Sequence, residues 1–417
     1  MLPPAQRAGY RGDVVRLEAR QLGADQAVGR SSGLSAVVER PDRHLGLRAR
    51  LRAFVARPSF RQSLLRAGFS LARQRVQAAR IDLSQRFDKG PRIRSCRMGA
   101  VPLDRARSVA IFIHYAPVAA VSRMVMDQVQ GYRDRGFAVV FVSMAPSIPS
   151  AAVSELEGRC AAIVERRNYG LDFGAWHDLL PAVLAQAPEA TELLLVNDSL
   201  CGPFRSLEPA FAAMRAAPEG LYGLTENLAP APHLQSYFLL ATGRATIADL
   251  ATFFAAHRVT ANKRRTIREG EVRLSGWMRG RGHPVAAWCG YEAVEAAALR
   301  QPAARRRVRT LYPHLFAGIA PDDAAGMRAA LRRRPLNSTH LFWRELVEEM
   351  GFPFVKTDLL LRNPLGIADD LDWRPLLEGD REAVAVIEEH LALLGGHRRA
   401  SAARTAGTAP AGRAMAA

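Results

Sequence analysis

Short apolar runs bounded by polar residues recur through the centre of the chain, at 108–113, 137–143, 161–165 and 192–196. Four or more apolar residues in so short a run suit a strand buried on both faces. Stretches with helical spacing lie between them. In 121–135, Val121, Met124, Val125, Gln128, Val129 and Tyr132 fall near one face, and Gly136 ends the run. Residues 151–157 and 172–185 read as further helices, the second despite Pro181. The run 108–143 has the length of one right-handed strand–helix–strand unit. Repetition of that unit predicts an α/β fold with a Rossmann-type mixed sheet flanked by helices.

The second half is less regular. Helices are expected at 207–217, 247–257, 271–278 and 341–350, the last capped from Asn337-Ser338-Thr339-His340. Strands are expected at 221–225, 233–240 and 284–288, and the stretch 351–360 after the last helix is closed by Arg362-Asn363-Pro364. From Gly395 onward the Ala/Gly/Arg tail has too few large apolar groups to fold. The predicted organisation is a basic N-terminal segment (1–106), an α/β domain (107–370), and a C-terminal helix with its tail (371–417).

Charge changes this picture only at one end. Residues 1–107 hold 23 of the 58 Lys and Arg but 8 of the 40 Asp and Glu, so most of the net +18 sits there. This arm suits anionic headgroups at a membrane face or a solvated, partly disordered leader equally well. Its amphipathic stretches over 51–80 can lie on a membrane or pack on the domain. Cys96, Cys160, Cys201 and Cys289 form no CxxC pair, which indicates neither a zinc site nor a disulfide framework. With no long apolar run and no N-terminal signal core, a cytoplasmic protein, peripheral at most to the inner membrane, is expected.

The candidate chemistry follows two strands. Arg167–Trp176 comes after the run at 161–165, and Asn197–Pro203 after that at 192–196; each gathers Asn, Asp and Gly. Ligands in open α/β sheets collect beyond such carboxyl ends. Gly lets backbone approach a ligand, and Asp or Asn can hold a hydroxyl or a cation.

Four motifs occur in order: Asn-x-Gly-x-Asp-x-Gly (168–174), Asn-Asp-Ser-x-x-Gly-Pro (197–203), His-x-Gln-Ser-Tyr-Phe-Leu (233–239) and Gly-Phe-Pro-Phe-x-Lys (351–356). Together they resemble the rhamnan synthesis protein F family of bacterial polysaccharide glycosyltransferases, over roughly residues 107–367. A broader resemblance is to sugar-nucleotide transferases of the GT-A fold, in which a strand ends in an Asp-x-Asp that holds a divalent metal on the donor diphosphate. Here the corresponding triplet is Asn197-Asp198-Ser199, so two carboxylates have become one.

The resemblance implies transfer of a sugar, rhamnose being the first candidate, from a nucleotide-diphosphate donor to a lipid-linked or growing cell-surface polysaccharide, with inversion. It makes Glu271 the candidate base that takes the acceptor's proton. Asn168, Gly170, Asp172, Asn197, Asp198, Ser199, His233, Gln235 and Lys356 become candidate donor-binding positions, with Asp198 also the candidate ligand for Mg or Mn. Gly170, Gly174 and Gly202 are expected to permit loop geometry. His114 and Tyr115 stand where a first strand would present a nucleotide base, and Lys263, Arg264, Arg265 and Arg268 form a cationic loop able to close over a diphosphate. Each assignment has a plainer rival: Glu271 at a helix start, Asp172 as a cap, Asp198 in a turn. Two other functions compete, a non-catalytic sugar- or nucleotide-binding component of an assembly complex, and a nucleic-acid-binding protein for which only charge speaks.

Overall fold

The structure is a computed structural model that describes residues 90–260, 262–367 and 371–406, without the side chains of Arg264 and of residues 396–406. The expectations for the basic arm and its amphipathic stretches over 51–80 lie outside the described residues, as does the tail beyond Ala406.

The expected α/β architecture is present. Strands β1 (Ile93–Met98), β2 (Ser108–His114), β3 (Ala138–Ser143), β4 (Ala162–Arg166), β5 (Glu192–Asn197), β7 (Leu221–Asn227), β9 (Phe238–Thr242) and β10 (Val285–Cys289) form one mixed sheet in the order β1-β4-β3-β2-β5-β9-β7-β10. A short strand, β8 (His233–Leu234), pairs with β7. The block β4-β3-β2-β5 is wholly parallel, the half-Rossmann order. β9 runs antiparallel between β5 and β7, and β10 is parallel to β7. Six carboxyl ends therefore share one edge of the sheet.

β2 shows why its sequence lacks polar–apolar alternation. Val109, Ile111 and Ile113 face one core with Trp176 and Leu195, whereas Ala110 and Phe112 face a second with Val125 and Phe141. Both faces are covered, so both sets must be apolar. Full burial of each large side chain contributes about 1.5–3 kcal/mol. Helices Arg123–Asp134 and Leu171–Gln186 supply these covers.

A third cluster joins the distal C-terminal part to the loop after β5. Cys201, Phe204, Trp343, Val355, Leu359, Trp373 and Ile387 pack together. Beside it, β6 (Leu200–Cys201) pairs antiparallel with β11 (Val355–Lys356). Gly202 (φ +130°) turns where a Cβ would meet the Pro353 carbonyl oxygen at 2.7 Å. The second and fourth sequence motifs thus meet.

Several elements depart from the sequence reading. β1 was not expected, because Ile-Arg-Ser-Cys-Arg-Met has no apolar pattern; it is an edge strand specified by its pairing with β4. The single strand expected at 233–240 is two, β8 and β9, separated at Gln235-Ser236-Tyr237. The helix expected at 271–278 belongs to a longer helical run: Lys263–Thr266, a π-helical turn Ile267–Val272, and Arg273–Gly280. The stretch 351–360, to which the sequence reading assigns no element, holds β11 and the start of helix Thr357–Arg362. The final helix, Arg381–Ala406, continues past Gly395, consistent with the high helix propensity of its Ala and Arg residues.

A buried ion pair supports the loop after β4. The fully buried Arg166 guanidinium bonds Asp178 Oδ2 at 2.6 Å and also donates to the carbonyl oxygens of Arg167 (2.9 Å) and Tyr169 (2.7 Å). Asp178→Ala leaves that cation buried without its carboxylate and should lower stability by about 3–5 kcal/mol, read from urea denaturation. A loss below about 1 kcal/mol would refute this support.

Candidate functional site

The loop from β4 enters helix Leu171–Gln186 through Gly170, whose φ of +82° and close approach to Val259 exclude a side chain: a Cβ would lie 2.2 Å from Val259 Cγ1. Gly170 is thus a packing and turning position. Two residues on, Asp172 Oδ2 accepts from Asn197 Nδ2 at 2.8 Å. The other end of the Asn197 amide, Oδ1, accepts from Ser199 N (3.1 Å) and Ser199 Oγ (2.6 Å). The plain capping role for Asp172 is absent, since no side chain caps this helix. Asp198 Oδ2 accepts the Tyr115 backbone N–H at 2.7 Å, which ties the loop after β5 to the end of β2.

The other half comes from the 233–239 motif and the helical run after it. Ser236 Oγ donates to Glu271 Oε1 at 2.7 Å. His233 donates from Nδ1 to the Ala231 carbonyl (2.7 Å), and its Nε2 lies 3.9 Å from Glu271 Oε2. Glu271 is not at a helix start, so the dipole explanation for it fails. It sits in the π-helical turn, beside Gly270, where a Cβ would meet the Phe173 ring at 2.8 Å. Such turns recur at functional sites because they re-aim one side chain within a helix. The chain closes over from β11: Thr357 N donates to Ser199 O at 3.0 Å, and Lys356 Nζ stands 4.2 Å from the Tyr237 ring centroid.

Three carboxylates therefore crowd one edge. Burial, then the charge of Glu271, pushes Asp172 up to about 6. Burial, opposed by the Tyr115 N–H and reinforced by Asp172, pushes Asp198 up to about 8. Burial pulls Lys356 down to about 8, against the pull of Glu271 and Asp172 and with the repulsion of Lys263. A partly desolvated mixture of carboxylates and an ammonium can hold a charged ligand and can take up a proton.

The remaining candidates separate. Asn168 is exposed and lines a cavity of about 260 Å³ with Arg94, Tyr115, Met144 and Arg166, beside the loop that holds Asp198. Gln235 is buried and its Oε1 accepts from Thr225 Oγ1 at 2.6 Å, a bond that supports the kink presenting Ser236. His114 is buried, stacked on Phe141 and bonded to Ser143 Oγ, while Tyr115 lines the cavity. In the cationic segment, Lys263 acts on Lys356, while Arg265 and Arg268 pair with Glu269; the Arg264 side chain lies outside the described residues. Among the described residues no group of three or more His, Cys, Asp or Glu is arranged around a metal position. The electrostatically coupled carboxylates of Asp172 and Asp198 are the hard oxygen donors that would suit a divalent cation. Ser236, missed among the site residues, was legible inside the third motif; Asp172's coupling to Glu271 was not.

Residues 139–271 match the model of the family described as Rhamnan synthesis protein F, as the motifs led us to expect. Virulence protein VirA of Vibrio anguillarum is 26% identical over 275 residues, 63% of this chain and 82% of that protein. The uncharacterized protein y4gN of Sinorhizobium fredii is 28% identical over 174 residues, 40% of this chain and 44% of its own. Among solved structures, the mannosyltransferase PcManGT of Pyrobaculum calidifontis, in complex with GDP-Man and Mn2+, is 14% identical; the likeness covers 82% of this chain and 93% of that one, with a TM-score of 0.28.

A carboxyl whose folded pKa is raised binds more protons folded than unfolded, so it destabilises the fold as pH rises between the two values. For Asp198 that window runs from 3.8 to about 8. Asp198→Asn keeps an acceptor for the Tyr115 N–H and removes the charge. It should raise the denaturation midpoint at pH 8 and change it little at pH 4. An equal effect at both pH values would refute the assignment.

Proposed function

We propose that this chain transfers a sugar from a nucleotide-diphosphate donor to a hydroxyl of a lipid-linked or growing cell-surface polysaccharide, inverting the anomeric carbon. The observation that carries the reading is the convergence of Glu271, Asp172, Asp198 and Lys356 at the carboxyl edge of the sheet, mostly within or beside the stretch that matches a polysaccharide-synthesis family.

Each component has a role that its surroundings support. Glu271 is held through Oε1 by Ser236, which leaves Oε2 to take the proton of the acceptor hydroxyl as its oxygen attacks the anomeric carbon. The bond from that carbon to the diphosphate oxygen breaks as the new one forms. Lys356, with Lys263 near it, faces the negative charge that grows on the departing diphosphate. Asp198 and Asp172 are the proposed ligands of a divalent cation, which when bound would supply further neutralisation of that charge. The cavity lined by Tyr115 and Asn168 lies on the Asp198 side and suits the nucleoside end of the donor. Among the described residues no helix is long and apolar enough to cross a membrane; contact with a lipid-linked acceptor is assigned to the basic arm.

The test is turnover on a panel of nucleotide sugars that includes dTDP-rhamnose, with and without Mg2+ or Mn2+ and with a polysaccharide acceptor. Glu271→Gln should lower transfer by about 10²–10⁴-fold while donor binding persists. Donor binding with no transfer by the wild type on any acceptor would favour a non-catalytic binding component, and the absence of any donor binding would overturn the reading.

A further inference from the structure

A histidine beside this edge has no part in the roles above. His340 lies in the short helix Ser338–Leu341, held at its start by Asn337 Oδ1, which accepts from Thr339 N (3.2 Å) and Thr339 Oγ1 (2.7 Å). That turn packs against β11, the strand that carries Lys356. His340 Nε2 is buried and has no hydrogen-bond partner among the described residues. A buried polar atom left unpaired keeps its desolvation penalty without the bond that would offset it. Native folds leave few such atoms, and a missing ligand is one of the physical reasons they persist.

The neighbours decide which ligand. Lys356, Lys263 and Asp358 act electrostatically on the ring, two positive groups against one negative. A metal cation would be repelled there, whereas an anion would gain from both lysines. Burial first, then Lys356, pulls the imidazole down to about 4, so it is neutral at pH 7 and carries one N–H to give.

We propose that His340 is a donor-binding residue whose Nε2–H bonds an oxygen of the diphosphate held beside Lys356 and Lys263. The proposal rests on the nucleotide-sugar reading and extends it to a residue in the segment between the third and fourth motifs. It also gives the C-terminal segment a reason to fold over the sheet edge, since His340 and Lys356, both on that segment, act electrostatically together with Lys263.

Calorimetric titration of the full chain tests it, with UDP, GDP and dTDP as probes and the matching nucleosides as controls. In His340→Gln the amide nitrogen can occupy the place of Nε2; in His340→Asn it reaches only as far as Nδ1, and His340→Met has no donor. The Asn and Met variants should bind the preferred nucleoside diphosphate about tenfold or more weakly, with nucleoside affinity unchanged. The Gln variant should stay within about threefold of wild type. Diphosphate affinities equal to wild type in whichever of the Asn and Met variants folds would overturn the proposal. So would a parallel loss of nucleoside affinity, the mark of a merely structural role. If the wild type binds none of the nucleoside diphosphates, the sugar-nucleotide reading itself falls, and this assignment with it.

Discussion

Like charges crowded at one edge of the sheet are the constraint around which this molecule is arranged. Asp172, Asp198 and Glu271 converge beside the carboxyl ends of parallel strands, where the surrounding chain shields them from part of the bulk water. In a partly desolvated setting each carboxylate raises the free energy of charging the next. The fold offsets this with an amide, a backbone N–H, a hydroxyl and one nearby ammonium, supplied respectively by Asn197, Tyr115, Ser236 and Lys356. The compensation is partial, as the raised carboxyls and the lowered lysine attest. Such residual imbalance is what a charged ligand can relieve.

Holding these groups in place falls to parts of the chain distant in sequence. Arg166 and Asp178 fasten the loop that leads to Asp172 from beneath. The pairing of β6 with β11, backed by Trp343 and Trp373 in the third cluster, fastens the C-terminal segment and brings Lys356 over the edge. A π-helical turn aims Glu271, and the kink between β8 and β9 aims Ser236. Each of these supports sets the position of a polar group at the edge without being one of those groups itself.

Much of this was legible beforehand. The apolar runs at 108–113, 137–143, 161–165 and 192–196 all became buried strands, because full burial on both faces allows almost nothing else there. The motif residues Asp172, Asn197, Asp198 and Ser199 do meet. The less legible parts share one trait: their local sequence was neutral and a distant partner decided. β1 has no strand pattern and exists through β4. Gln235 and His114 look like ligand-facing polar residues but are turned inward by Thr225 and Ser143, each a neighbour on another strand.

Sequence alone determined the strand–helix alternation, the approximate ends of most elements in residues 108–257, and the positions where Asn, Asp and Gly cluster, because periodicity and turn chemistry act over a few residues. Tertiary structure alone decided which of those clusters face one another, that Glu271 lies in a π turn beside Phe173, and that a lysine some 85 residues downstream of it shares its surroundings. It also decided the charge states at the edge. A carboxyl's proton affinity depends on the water removed from it and on the charges brought near it, and both are set by chain segments that no local pattern relates.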